Sequence, residues 1–294
     1  MKTLKKYSTC KKIVKIYSTR CVVYFMKKQI IIPPFGKNVN LKDYDTRYAG
    51  PNKDKNQVRE ETIENLKRLR VLQEMFYAEG KRSLLIVLQA TDTGGKDGTI
   101  RHVFRGVNPQ GVQVTSFKQP SVEELSHDFL WRIHQHTPPK GYIGVFNRSH
   151  YEDVLIVRVE NIVPKNVWNK RYQIINDFEE SLVENETAIL KFFLHISKEE
   201  QKQRLEARRD DPKKQWKFSV DDVKKRALWD DYVKAYEDVL TKCNTKYAPW
   251  HIVPADNKWY RNFIISNIIA NKLEELDPKL PKPEKDIEKI VVPY

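Results

Sequence analysis

The stretch Ser83–Ile100, SLLIVLQATDTGGKDGTI, opens on an unbroken apolar run and ends in glycines set around one lysine. A run of this length bounded by turn residues predicts a strand buried on both faces. Strand, glycine loop and helix in succession is the setting in which backbone N–H groups cradle a phosphate. Gly94, Gly95 and Gly98 let the backbone curl with no Cβ in the way. Lys96 adds a full charge, the following helix adds the positive end of its dipole, and Thr99 falls within that first turn. The pattern departs from Gly-x4-Gly-Lys-Ser/Thr twice: Ala90 stands at the first glycine position, and Asp97 replaces the hydroxyl residue. Asp92 and Asp97 flank the glycines, so a carboxylate can hold Mg2+, or a water on it, where a hydroxyl usually would. Without those acids the segment reads as a glycine-rich turn with a surface lysine.

Around this loop strands and helices alternate. GVQVTSF (111–117), GYIGVFN (141–147), AILKFFLHI (188–196) and WHIVPA (250–255) read as four further strands. A long helix precedes the first strand, with Ile63, Leu66, Leu69, Leu72 and Phe76 in helical steps and Gly80 at its end. Another starts at Ser121 with Glu124 at capping-box spacing and continues through SVEELSHDFLWRIHQH. The alternation predicts an α/β fold: a three-layer sandwich with a five-stranded parallel sheet covered on both faces.

The third strand ends in NRSHYED, and ligands of open α/β sheets bind at carboxyl ends of strands. Arg148 offers a planar fork to phosphate oxygens. Asp153 is a candidate Mg2+ ligand, and Asn147 and Glu152 are candidates for the nucleotide. The same residues also suit a plain helix start with Asn147 as its cap. Between residues 198 and 222 a basic stretch places Arg204 and Arg208 four apart, with Arg209 beside them and a break at Pro212. An arginine-bearing cover over phosphates suits phosphoryl transfer, which depends on charge neutralisation and exclusion of water. A solvated helix is the alternative. Leu228, Tyr232, Ala235 and Val239, at helical spacing, read as core or a subunit contact. Trp216, Trp229, Trp250 and Trp259 read as packing residues, and the histidines show no metal spacing.

The chain has 53 Lys+Arg against 39 Asp+Glu, a formal charge of +14, which favours an anionic partner. Four acids beside the loop, Asp92, Asp97, Glu152 and Asp153, argue against nucleic acid, because without a metal they would repel it. Three scattered cysteines point to a reducing compartment, and no apolar run approaches a membrane span, so a cytoplasmic enzyme with no membrane contact is expected. Residues 1–26, lysine-rich and free of acids, read as a basic extension outside the fold. Residues 27–275 read as one domain and 276–294 as a proline-broken tail.

Taken together, GGKDGTI, GVNPQGVQVTSFKQPS, FLWRIHQHTPPKGYIGVFNRSHYEDVLIVRV, RLEARRDDPKKQWKFS, WDDYVKAYEDVL and YAPWHIVPADNKWYRN resemble the polyphosphate kinase 2 family, from about residue 35 to 275. The resemblance implies a P-loop, thymidylate-kinase-like sandwich with a helical lid at about 203–220, and self-association as a dimer or tetramer. It implies transfer of the terminal phosphate of inorganic polyphosphate to nucleoside mono- and diphosphates with Mg2+, or Mn2+ in its place. By position, Asp92, Lys96, Arg148 and Asp153 are the catalytic set, Asp92 and Asp153 the metal ligands, and Arg208 and Arg209 the lid arginines. Many members carry Asp at Asn147. The branch that shares Asn147 and Glu152 uses both mono- and diphosphates. Asp97 then suits a loop that grips a phosphate chain, with Arg101, Arg105, Lys118 and Arg132 lining its channel. An ATP-dependent nucleotide kinase on the same fold is the alternative reading.

Overall fold

Asp54 accepts hydrogen bonds from the N–H groups of Asn56 and Gln57, and so starts helix α1, Lys55–Glu79. Gly80 ends it in the left-handed region at φ 63°, as the sequence predicts. Leu69, Leu72 and Phe76 are buried, but Ile63 is 53 % exposed and lies off the packed stripe. The computed structural model describes residues 31–50 and 54–293, so the expected extension 1–26 lies outside the described residues. From Pro33 onward the chain forms one compact unit.

The strands are β1 Ser83–Gln89, β2 Val112–Ser116, β3 Ile143–Asn147, β4 Thr187–His195 and β5 Trp250–Pro254. They form one parallel sheet in the order β2-β3-β1-β4-β5. Every residue of β1 is buried, as a central parallel strand requires, and edge strand β5 is fully buried as well. From β1 the chain passes to β2, returns to β3 on one flank of β1, then crosses to β4 on the other. That crossing makes β1 the switch point, and a crevice opens at the carboxyl ends of its neighbours.

Helix α2, Lys96–Val103, follows the glycine loop. The capping box at Ser121 and Glu124 forms as expected, but the helix it starts is short. α3 covers Val122–Ser126 and α4 covers Trp131–His134. Between them the Asp128 side chain takes the N–H of Leu130 in a local turn, an alternative to continuing the helix. A short 3-10 turn, His150–Val154, leads to α5, Ile156–Val159, and α6, Lys165–Glu184. After β4 come α7, Lys198–Asp210, α8, Val220–Arg226, and α9, Trp229–Lys242. α10, Lys258–Leu276, follows β5 and closes the fold.

Alternate residues of the strands supply the two cores. Leu85, Val87, Phe146 and Phe193 pack with Ile175 and Phe178 of α6 and with Tyr236 and Val239 of α9. On the other face α10 packs against α1, β4 and β5. Arg68 fixes that helix pair by donating to Glu274 (2.7 Å) and Asn271 (2.8 Å). The tail expected at 276–294 is tied back at its start, where Lys279 N–H donates to Glu79 at 3.1 Å.

Candidate functional site

Register brings the first site residues together. Leu88 lies opposite Asn147, so the loop leaving β1 meets the turn leaving β3. Gly94 has no room for a side chain: a Cβ there would stand 2.4 Å from Ala90 Cβ and 2.8 Å from the Thr91 carbonyl. Lys96 is the first residue of α2 and is buried, with Nζ donating to the Ala90 carbonyl at 3.1 Å. Burial pulls its ammonium below the usual lysine range, and the charge of Arg148 adds to this; Asp92, Glu152 and Asp97 act the other way. Arg148 sits at φ 64°, a conformation costly for a side chain of its size. Its Nη2 donates to Asp92 Oδ1 at 2.7 Å. Burial works against the Arg148 charge, but Glu152 and Asp92 outweigh it and raise its pKa.

Asp97 accepts from Asn147 Nδ2 at 2.8 Å, and the same amide reaches Ser116 at 3.3 Å. Thus Asp97 ties the helix start to β3 instead of turning into the loop. Gly94, Gly95, Lys96, Asp97, Gly98, Arg101, Lys118, Asn147, Arg148 and Arg208 all line one open cleft of about 920 Å3. Glu152 lines an adjoining pocket with Asp92, Arg148, Lys225, Tyr232 and Tyr236. Its free space is about 30 Å3, room for a water.

Several expected site residues do other work. Arg204 lies under the loop: its Nη1 donates to the carbonyls of Thr93 (3.2 Å) and Gly94 (2.9 Å), its Nη2 to Ala255 (2.6 Å), and its Nε to Glu200 (2.7 Å). It braces the loop and also lines the cleft. Thr99 is buried and donates to the Gly95 carbonyl at 3.1 Å, an internal helix contact. Arg132 is buried and donates to the Lys118 carbonyl at 2.9 Å, with Phe117 beneath its guanidinium, so it shapes the turn after β2 and not the cleft wall. The Arg105 carbonyl accepts from Arg70, and Arg209 pairs with Asp210 in solvent; neither lines the cleft.

Asp153 is the main correction. It accepts from Arg171 Nη1 at 3.1 Å and lines neither cavity, whereas Asp92 pairs with Arg148. The two carboxylates expected to share a metal face different neighbours. Burial pushes the Asp153 carboxyl up to about 6, against the pull of Arg171 and Arg132. The native state therefore keeps this proton up to about pH 6, while an ordinary carboxyl loses it near 3.8. The group's contribution to stability is full below the lower value and is lost as pH rises through the upper one. Asn keeps an oxygen for Arg171 and cannot ionise. Asp153→Asn is thus expected to be more stable than the parent at pH 8, by at most about 3 kcal/mol, with the gap closing by pH 4. Urea melts at both pH values read this directly, and a variant less stable at pH 8 would contradict it.

Residues beyond the sequence reading complete the site. Tyr232, read as core or a subunit contact, lines the Glu152 pocket with Tyr236, and exposed Trp216, read as a packing residue, lines the cleft. Lys258 and Arg261, at the start of α10, also line the cleft. Their signal was available, since they follow the carboxyl end of the fifth strand. Asp222 comes close enough for the Asp92 charge to act on it: burial first, then Asp92, raises its carboxyl. Among the described residues no three His, Cys, Asp or Glu side chains form a metal cluster, and no helix is long and apolar enough to cross a membrane.

Residues 52–281 match the polyphosphate kinase 2 (PPK2) family. The chain belongs to that family. It is 56 % identical over 226 residues to the AMP/ADP-polyphosphate phosphotransferase of Meiothermus ruber, covering 77 % of this chain and 85 % of the relative. To the ADP-polyphosphate phosphotransferase of Rhodopseudomonas palustris it is 45 % identical, over 84 % of this chain and 90 % of that one. The crystal structure of polyphosphate kinase 2 from Arthrobacter aurescens TC1 superposes with a TM-score of 0.85 at 43 % identity, covering 89 % of this chain and 94 % of the other. The five-stranded parallel sheet with its phosphate loop is the one the sequence pattern predicted, and the family is the one its motifs resemble.

Proposed function

We propose that this chain transfers the terminal phosphate of inorganic polyphosphate to nucleoside mono- and diphosphates. The observation that carries the reading is the phosphate loop opening into a long basic cleft, where Lys96 and Arg148 are joined by Arg101, Lys118, Arg208 and Lys217. The named activities of the Meiothermus and Rhodopseudomonas relatives supply the donor and acceptor classes. The position that binds Mg2+ beside ATP in many phosphate loops is Asp97 here, and it is engaged with Asn147.

The site suits Mg2+, or Mn2+ in its place. The Asp92 charge acts on Asp222, a repulsion that a divalent cation relieves, and Mg2+ needs only one or two carboxylates besides substrate phosphates. Asp92 is the residue we assign to it; Asp153 is not. When bound, the ion neutralises charge on donor and acceptor oxygens. The protein's own part is positional: loop N–H groups and Lys96 hold phosphates on one side of the transfer point, and Arg148 holds them on the other. An acceptor phosphate oxygen then attacks in line through a loose transition state, so no strong general base is required. Residues 203–220, with Arg208, Lys213, Lys214 and Lys217 turned toward the cleft, serve in this reading as the cover that excludes water. Self-association as a dimer or tetramer belongs to the same reading and is tested by light scattering.

Phosphorus NMR with Mg2+, polyphosphate and AMP, and no ATP, tests the function. ADP and then ATP signals are expected to grow as polyphosphate falls. ADP alone would restrict the acceptor to monophosphates, and no transfer until ATP is supplied would make this an ATP-dependent nucleotide kinase.

A further inference from the structure

We propose that Arg261, on the first turn of α10, is a buried anchor for the polyphosphate donor, forming a phosphate subsite on the opposite side of the loop from Arg148. The inference rests on the functional reading above and adds which wall of the cleft takes the donor. Arg261 is only 2 % exposed, yet it lines the cleft. Its Nε and Nη2 both donate to one neutral oxygen, Asn262 Oδ1, at 3.2 and 2.9 Å. Among the described residues no carboxylate forms an ion pair with it. A guanidinium is rarely buried without a counter-charge, because desolvation of the ion then goes uncompensated.

Its two terminal nitrogens face the phosphate loop. A Cβ at Gly95 would stand 2.2 Å from Arg261 Nη1, and one at Gly98 would stand 3.7 Å from Nη2. Gly95, at φ 103°, is the residue that lets the guanidinium approach the loop backbone at all. The Arg204 guanidinium reaches the same spot, 3.3 Å from that Gly95 position. Apart from Glu200, which pairs with Arg204 and acts on Lys258, the surroundings are cationic or neutral. Burial, with Arg204 next, pulls Arg261 down to about 9, and burial, with Arg261 and Arg101 next, pulls down the His102 imidazole. Lys258 is drawn down too, by burial first and then by Arg204.

The acids lie elsewhere. Of the three that line the cleft, Asp92 pairs with Arg148, Asp222 lies by Arg208 at 3.6 Å, and Asp97 is held by Asn147. The cleft is therefore polarised. The Arg148 wall mixes cations with carboxylates and suits a metal-bearing transfer point. The Arg261 wall offers uncompensated positive charge, which suits a chain with about one negative charge per phosphate and nothing else to recognise.

The test uses the whole protein and polyphosphate of defined chain length, without nucleotide. For Arg261→Met, the dissociation constant and the KM for polyphosphate are expected to rise about tenfold or more, with the KM for AMP and ADP within about twofold of the parent. Unliganded, Arg261→Met is expected to melt at or above the parent temperature, because it removes an uncompensated buried charge, and polyphosphate is expected to raise its melting temperature less than the parent's. Arg261→Lys, which keeps the charge and loses the fork, is expected to fall between the two. Unchanged polyphosphate binding would overturn the assignment. So would an effect confined to the nucleotide KM, or a melting temperature far below the parent's, which would make Arg261 a structural residue. A parent that binds no polyphosphate would instead overturn the functional reading, and the assignment with it.

Discussion

Lys96→Ala is expected to lower kcat/KM for phosphate transfer by about 100-fold or more, ~3 kcal/mol of transition-state stabilisation. Lys96 combines three properties that surface lysines of the cleft lack. It is buried, so its charge acts through little water; it starts α2, where the helix dipole adds to it; and its Nζ already reaches back over the loop to Ala90. Asp92, Glu152, Asp97 and Arg148 all act on it, which places it among the charges that must hold two phosphates at once. The loss is expected chiefly in kcat, since the many other cations of the cleft continue to bind substrate. Lys96→Arg is expected to restore little, because a forked head does not fit a buried point-charge position. Steady-state rates against polyphosphate and AMP check this. Activity within a few-fold of the parent would remove Lys96, and the loop with it, from the transfer point.

The parts of this site legible in the sequence are those fixed by the backbone. Strand, glycine loop and helix dictate one local geometry, so Gly94, Gly95, Lys96 and Asp97 fall where they were expected, and the strand register then brings Asn147 and Arg148 to them. What the sequence could not separate were neighbours on one turn. Glu152 and Asp153 differ by a single step, yet the 3-10 turn sends one toward Arg148 and the other to Arg171 on α6. Arg204 and Arg208 share a helix face by spacing, but α7 emerges from beneath the loop. Both line the cleft, but the first is enclosed against the carbonyls of Thr93 and Gly94, while the second lies beside Asp222. Ala235 and Val239 are buried as their spacing predicts, and their neighbour Tyr236 is both buried and a wall of the Glu152 pocket, because core and site share that boundary. Helical spacing reports which residues are inside; it does not report what the inside contains.

A larger effect on stability is expected from Lys191, which lies in the middle of β4 with no exposure at all. Its Nζ donates to Glu179 (2.5 Å) on α6, to the Tyr151 hydroxyl (2.9 Å) and to the Cys243 carbonyl (2.7 Å). Glu179 in turn accepts from Tyr151 at 2.7 Å and faces His150 Nε2 at 3.2 Å. Burial pushes the Glu179 carboxyl up, but Lys191 and His150 outweigh it and hold it below the usual range, so the carboxylate stays ionised. Removing one partner strands the other charge in the core. Lys191→Met and Glu179→Leu are therefore each expected to destabilise by about 3–5 kcal/mol, a fall in Tm of roughly 10 °C. The double variant, with no stranded charge, is expected to be more stable than either single one, a positive coupling in a double-mutant cycle. Activity is expected to diverge from stability. His150 and Tyr151 belong to the 3-10 turn that begins just after Arg148 and contains Glu152, so this buried network sets the turn that aims both at the site. The double variant is thus expected to recover stability without recovering kcat. Singles that melt within about 2 °C of the parent would show that the pair is replaceable. A double variant with full kcat would show that packing alone aims Arg148, and that the charges beneath it serve only the core.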